Sequence, residues 1–428
     1  MTTPLLLLDS THTNPEHDAW LEEVGCALLE WGAASRTEHG FGWLDSNGEL
    51  DPTHDLELWI NCRMTHCFAL ASIRGTEASR DDYAALAAHG LKALMGAFRD
   101  EEHGGFFSII SRESGKPVDD SKQAYAHAFV VLAASSLVEA QIPGADELLE
   151  TALEAHARFF EPEHGMFADT YSRDFSNCED YRGINANMHS VEGLLAASAA
   201  TGRLELFERA AVIVERALAF AKGNAWFLPE HFTTAWEPRP DYNRDEPAHP
   251  FRPYGATIGH SFEWARLALH TAAGFEDQFS DATRAQERAS ALRDGALALA
   301  EKACETWGID GDGGFPYTVD WDGSPVVHER MHWVVAEAIG AAAVLFRTSG
   351  DAVWEERYES WWEWAKNTTI VLGKLGSWIH ELSATGELSE TTWKGQPDIY
   401  HAYQVTLIPR LPAWPPLAHA VATEARSR

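Results

Sequence analysis

The chain has 428 residues, with 33 Lys and Arg against 65 Asp and Glu, and so carries a formal net charge of −32 at neutral pH. A field of that sign repels phosphate backbones and anionic lipid, which argues against nucleic acid and membrane surfaces as partners. An apolar fraction of 45% with 11% aromatic residues suffices for a large core, and the charges are interspersed rather than gathered in a tail, as in a globular protein.

At the start of the chain, Leu5 to Leu8 is too short for a signal-peptide core and has no basic residue ahead of it. No stretch reaches the roughly 20 apolar residues of a membrane span, so the expected location is the cytoplasm. The five cysteines, Cys26, Cys62, Cys67, Cys178 and Cys304, form no Cys-x-x-Cys pair, which predicts reduced, mostly core thiols and neither a disulfide framework nor a thiolate zinc site.

Next along the chain comes a recurring turn of Gly beside aromatic residues: His39-Gly-Phe-Gly-Trp43, His103-Gly-Gly-Phe-Phe107 and His164-Gly-Met-Phe167. Trp226-Phe-Leu-Pro229, Gly313-Gly-Phe-Pro316 and Gly376-Ser-Trp-Ile379 continue it at intervals of about 60 to 65 residues, with one of about 90. Between the turns, apolar residues spaced three and four apart predict helix pairs: 55–73 with 81–98, 121–139 with 145–160, 185–200 with 204–221, 257–273 with 282–306, and 329–347 with 352–368. Each helix has an Ala-rich face that must be buried, and twelve helices in two concentric rings of six would bury them all. The expected fold is therefore all-α, an (α/α)6 barrel occupying residues 1–428 as a single domain. Alternating stretches such as 106–111 and 167–171 predict short β-hairpins at one rim. The Pro-, Asp- and Arg-rich loop 232–253 accounts for the long interval, and it either covers a site, fills the rim or makes an oligomer contact.

Chemistry-bearing residues gather at helix starts, just after the rim loops. Trp59 and Arg63 share one helix and Tyr125 and His127 another, although a lone Arg in an apolar helix is often a structural ion-pair partner. His189-x-x-Glu192 and His260-x-x-Glu263 each put an imidazole and a carboxylate on one helix face. Three readings stay open: a metal centre fed by two helices, imidazoles oriented by carboxylates for proton transfer, or satisfied core histidines. The segment Trp393 to Gln404 is a turn into a last helix, with His401 near its start and Asp398 as its expected cap. Gly308 to Gly314 lacks the strand-to-helix context of a dinucleotide site and reads as the repeat's turn.

These segments resemble the N-acylglucosamine 2-epimerase superfamily, above all its branch of mannose and sulfoquinovose isomerases. The resemblance rests on Trp59-Ile-Asn-Cys-Arg63, Gln123-Ala-Tyr-Ala-His-Ala-Phe129, Asn185-Ala-Asn-Met-His189, Gly259-His-Ser-Phe-Glu-Trp264, Asp320-Trp-Asp-Gly323 and Lys394-Gly-Gln-Pro-Asp-Ile-Tyr-His401. It implies an (α/α)6 barrel and cofactor-free, metal-free interconversion of an unphosphorylated aldohexose and ketohexose, D-mannose and D-fructose foremost. It further implies His260 and His401 as the acid/base pair, supported by His189, Glu263 and Arg63. Trp59, Tyr125, Asn185, Met188, Phe251, Trp321 and Asp398 would bind the sugar.

The residue types suit that chemistry. Removing the C2 proton of an open-chain aldose needs a base active near neutrality, as histidine is, and a permanent cation such as Arg63 for the charge growing on oxygen. In this reading His189 assists ring opening or binds a hydroxyl, Glu263 orients the neighbouring imidazole, and Trp59, Trp321, Trp333 and Phe251 cover C–H faces of the sugar. Return of the proton to C1 gives a ketose, whereas return to the other face of C2 gives an epimer. A sugar 2-epimerase, a sulfoquinovose isomerase, an inverting glycoside hydrolase working through two carboxylates and a non-catalytic sugar-binding protein are the alternatives. Whether the chain is a monomer or a homodimer is left open.

Overall fold

The computed structural model describes residues 14–75, 77–279, 283–311 and 313–427. The Leu5 to Leu8 run lies outside the described residues. Among the described residues twelve helices form two rings. The inner ring is α2 (Leu58–Arg74), α4 (Ala124–Glu139), α6 (Ile184–Thr201), α8 (Ile258–Gln278), α10 (His332–Ser349) and α12 (Tyr400–Leu407). The outer ring is α1 (Pro15–Ala33), α3 (Glu77–Met95), α5 (Ala145–Ala157), α7 (Leu204–Gly223), α9 (Thr283–Cys304) and α11 (Ala352–Thr368). Neighbouring inner helices touch in sequence, and α12 meets both α2 and α10, which closes the barrel. Among the described residues no helix is long and apolar enough to cross a membrane.

The two rings differ as their sequences require. The outer helix α7 buries Leu206, Phe207, Ala210, Ala211, Val214, Ala217, Leu218 and Ala221, one apolar stripe at helical spacing. The inner helix α4 is buried almost all round, with Ala126 to Leu137 uninterrupted. Small residues permit the close approach: a Cβ added at Gly90 in α3 would stand 1.9 Å from the Thr65 hydroxyl of α2.

Five inner helices start without a side-chain cap, from an extended residue that ends a two-residue strand. Their first N–H groups need acceptors, and each finds a carbonyl in the next repeat: Leu58 on Ser108, Ala124 on Asp169, Ile184 on Glu230, Ile258 on Tyr317 and His332 on His380, at 2.8–3.2 Å. The strands pair antiparallel across the same joints, for instance Arg182 opposite Phe232 and Arg330 opposite Leu382. The last joint is made by Gln396 donating to the Leu44 carbonyl at 2.9 Å and the Trp43 indole donating to the Lys394 carbonyl at 3.0 Å. The joints collect every inner-helix N-terminus at one rim.

The expected helix pairs are all present. The helix expected to stop at Ala273 runs on to Gln278, because Gly274 does not end it but makes room for Phe207, whose ring would lie 2.5 Å from an added Cβ. The short rim strands also occur where alternation placed them. Two helices were not foreseen. In α1, Asn14 accepts from the His17 N–H at 2.9 Å and Pro15 sits at the first position; it supplies the outer partner of α12. The other, α13 (Leu417–Ser427), lies across the far end against α2, α4 and α6.

Candidate active site

At the rim where the inner helices begin, a cavity opens among Trp59, Arg63, Tyr125, Asn185, His189, Phe251, His260, Glu263, Asp398 and His401, with Tyr317, His332, Trp333, His380 and Trp393 completing the wall. The repeat explains the convergence. Trp59, Tyr125, Asn185, Trp333 and His401 are each the second residue of an inner helix, and Arg63, His189, Glu263 and Glu337 each the sixth, one turn deeper on the same face.

His260 and His401 open into this one cavity, on elements far apart in the chain. The Trp333 indole lies against both, with ring centroids 5.3 Å from His260 and 5.6 Å from His401. His260 Nδ1 is 3.0 Å from Glu230 Oε2, and His401 Nδ1 is 2.8 Å from Glu337 Oε1. Each carboxylate accepts the Nδ1 proton and so leaves the Nε2 lone pair for chemistry. Glu337 is held in turn by Arg266, whose Nε and Nη2 donate to Oε2 at 3.0 and 2.9 Å. Burial, and next the nearby Arg63 charge, push His401 well below the ordinary histidine value, so it is neutral at pH 7.

Arg63 is clamped. It donates to Asp398 at 3.1 Å and to the Tyr125 hydroxyl at 3.0 Å, and its guanidinium lies 4.6–4.9 Å from the rings of Trp59, Phe129 and Tyr400. Burial opposes its charge, but Tyr125, Asp398 and Tyr400 raise its pKa above the ordinary value and it stays a cation. Burial pushes Tyr125 up to about 12, so it remains a phenol. Asp398 serves twice: one oxygen meets Arg63, and the other accepts from the Tyr400 N–H at 2.8 Å at the start of α12, although the N-cap itself is Ile399 and Asp398 stands one residue before it rather than at the expected cap position. His189 leans on Phe129, with centroids 4.4 Å apart, and its Nδ1 is 3.5 Å from Glu192; burial lowers it to about 4.

Three expectations need correction. Glu263 does not orient His260. The spacing of three puts both on one face, but Glu263 is a turn deeper, and Glu230, from the rim segment ahead of α8, reaches His260 instead. Both Glu263 oxygens are buried without a hydrogen-bond partner among the described residues, and burial together with the Glu337 charge raises its pKa well above the carboxylate range. Met188 is fully buried and outside the cavity wall, one residue round the helix from His189. Trp321 also lies outside the wall; its indole donates to the Pro240 carbonyl at 3.0 Å and ties the rim turn to the long loop.

The two His-x-x-Glu segments do not assemble one dinuclear ligand set. The groups within 4.8 Å of one another are His189 with Glu192 and Glu263, and Glu263 with Glu337 and His401; His260 belongs to neither. Arg266 stands 3.6 Å from Glu263 and bonds Glu337, so a guanidinium already faces these carboxylates. His127 is structural: its Nε2 accepts from the Phe106 N–H at 3.1 Å and its Nδ1 meets the Gln123 carbonyl. The long loop does reach the site. Pro250 and Phe251 enter the wall, and Arg252 anchors the loop through Glu179 at 2.6 Å and Asp169 at 3.3 Å.

A closed ring of six helix pairs with a histidine-rich cavity at the rim defines the chain as a sugar isomerase or epimerase type of (α/α)6 barrel. The model of the N-acylglucosamine 2-epimerase (GlcNAc 2-epimerase) family matches residues 40–405, and the chain belongs to that family. It is 45% identical to a D-mannose isomerase of Thermobifida fusca over 95% of this chain and 97% of that protein. It is 44% identical to a D-mannose isomerase of Pseudomonas cannabina pv. alisalensis, covering 96% of each. A crystal structure of a D-mannose isomerase superposes with a TM-score of 0.80 at 25% identity, over 93% of this chain and 99% of that one.

Proposed function

We propose that the chain is an aldose–ketose isomerase interconverting D-mannose and D-fructose, working in the cytoplasm as a single catalytic domain without a metal or coenzyme. The observation that carries the reading is the pair His260 and His401, each held through Nδ1 by its own glutamate and both packed on Trp333 beside the Arg63 cation. That arrangement supplies a neutral imidazole for a carbon-bound proton and a fixed positive charge for an enediolate.

The sugar binds with its C–H faces against Trp59, Phe251 and Trp333, and Asn185, whose buried Oδ1 has no partner among the described residues, accepts from a hydroxyl. His189 helps open the ring. His401 Nε2 takes the proton from C2; the C2–H electrons form the C1–C2 double bond, and charge on O1 is met by Arg63. His260 Nε2 takes the proton from O2 and delivers it to O1, and the electron pair left on O2 forms the C2=O bond as the C1–C2 double-bond electrons reach for a proton at C1. His401 returns its proton to C1 on the same face, giving the ketose, and both imidazoles end as they began. Glu230 and Glu337 position the rings.

Incubation of D-mannose with the enzyme in D2O, followed by NMR, tests this. Fructose carrying deuterium at C1 is expected. Glucose labelled at C2 would make the enzyme an epimerase, and fructose without exchange at C1 after many turnovers would remove the proton-transfer mechanism.

A further inference from the structure

We infer that His332, backed by His380, is a substrate-binding residue that sets sugar specificity by hydrogen bonding to a hydroxyl on C3, C4 or C6. This rests on the isomerase reading above. His332 is the first residue of α10 and lines the cavity, yet it is only 5% exposed. By hydrogen-bond geometry neither of its buried ring nitrogens has a partner among the described residues, and the His380 carbonyl is only near enough to attract a ring proton. Burying polar atoms unpaired is costly, so a site that does so has usually reserved them for a ligand. The contrast with His189, His260 and His401 is direct, since each of those commits Nδ1 to a glutamate.

The ring cannot easily turn to find another partner. It is stacked on His380 with centroids 3.7 Å apart and planes 21° from parallel, and its backbone N–H already donates to the His380 carbonyl at 3.0 Å. It meets His401 edge-on, with centroids 6.4 Å apart, so a sugar reacting at His401 brings its remaining hydroxyls within reach. Burial lowers His332 to about 4 against the pull of Asp398 and the His380 carbonyl, which keeps the ring neutral at pH 7. A neutral imidazole offers one N–H and one lone pair, the complement of a hydroxyl that both accepts and donates. A site built to hydrogen bond a hydroxyl rejects the analogue lacking it far more strongly than an apolar wall does.

The test compares kcat/KM for D-mannose and its 3-, 4- and 6-deoxy derivatives in the wild type, His332→Phe and His332→Asn. Phe keeps the stack and removes both polar atoms; Asn keeps a donor and an acceptor. His332→Phe should lower kcat/KM for mannose about tenfold or more while changing that for one deoxy sugar by less than about twofold, because that sugar already lacks the bond. His332→Asn should restore part of the preference, and serves alone should the Phe variant not fold. An equal loss on every sugar in the variants, or no loss on any, would overturn the inference and leave the isomerase reading intact. Wild-type enzyme that leaves mannose unchanged would remove both.

Discussion

Glu263 sits among Glu337, Glu192 and Arg266, and its protonation state decides what it does there. Arg266 at 3.6 Å favours the anion, but that guanidinium is already engaged by Glu337, and burial with the Glu337 charge raises the Glu263 pKa well above its ordinary 4.5. Below pH 4.5 the folded and unfolded chains both hold this proton, so the full stability of the site is present. Above it the unfolded chain releases the proton while the folded chain keeps it, and stability is lost as pH rises toward the folded pKa. The isosteric, permanently neutral Glu263→Gln should therefore melt at least about 1 °C higher than wild type at pH 8, with the advantage shrinking toward pH 5. Melting temperatures lower than wild type at pH 8 would mean that Glu263 is ionised and paired with Arg266. His189, His260, His401 and Arg63 were legible in the sequence because their side chains sit at helix starts after recognisable turns. Glu230 was not, since it lies in an irregular rim segment where no periodicity marks direction, and the spacing rule pointed to Glu263 in its place.

Gly259 is the second residue of α8, the position that holds Trp59, Tyr125, Asn185, Trp333 and His401 in other inner helices. What it contributes is space: an added Cβ would stand 2.1 Å from the Trp333 ring. The indole that rests on both His260 and His401 can lie there only because α8 has no side chain at that point. Gly259→Ala should thus displace Trp333 and lower kcat/KM for mannose by more than about tenfold, a loss of positioning. Gly259→Ala combined with Trp333→Phe, whose smaller ring fits beside a methyl group, should recover part of the loss; a double variant no better than the single one would place the damage elsewhere. Elements were legible wherever an apolar stripe faced a ring partner, as in α7. The helix α1 carries the same signal in Leu21, Val24, Leu28 and Leu29, but it precedes the first turn and so falls outside a repeat counted from turns. His332 and His380 meet only through the joint between repeats, a contact between distant residues that no local spacing announces.

Across the whole molecule, the same composition that argues against polyanionic partners also works against the fold. A net charge of −32 on 428 residues repels itself in a closed barrel more than in an extended chain, because folding brings the charges together. Salt screens exposed charges over about 10 Å at 0.1 M, and buried pairs much less. The site's own ion pairs, Arg266 with Glu337 and Arg63 with Asp398, are buried, and a neutral hexose gains nothing from steering by the surface field. Stability and catalysis should therefore respond differently to sodium chloride. Between about 20 and 200 mM the melting temperature should rise by a few degrees as surface repulsion is screened, while kcat/KM for mannose stays within about twofold. A falling melting temperature would show that exposed pairs such as Arg288 with Glu208 and Glu215 outweigh the net repulsion. A rate that moved with salt would mean that the cavity's charges are open to solvent, contrary to their burial.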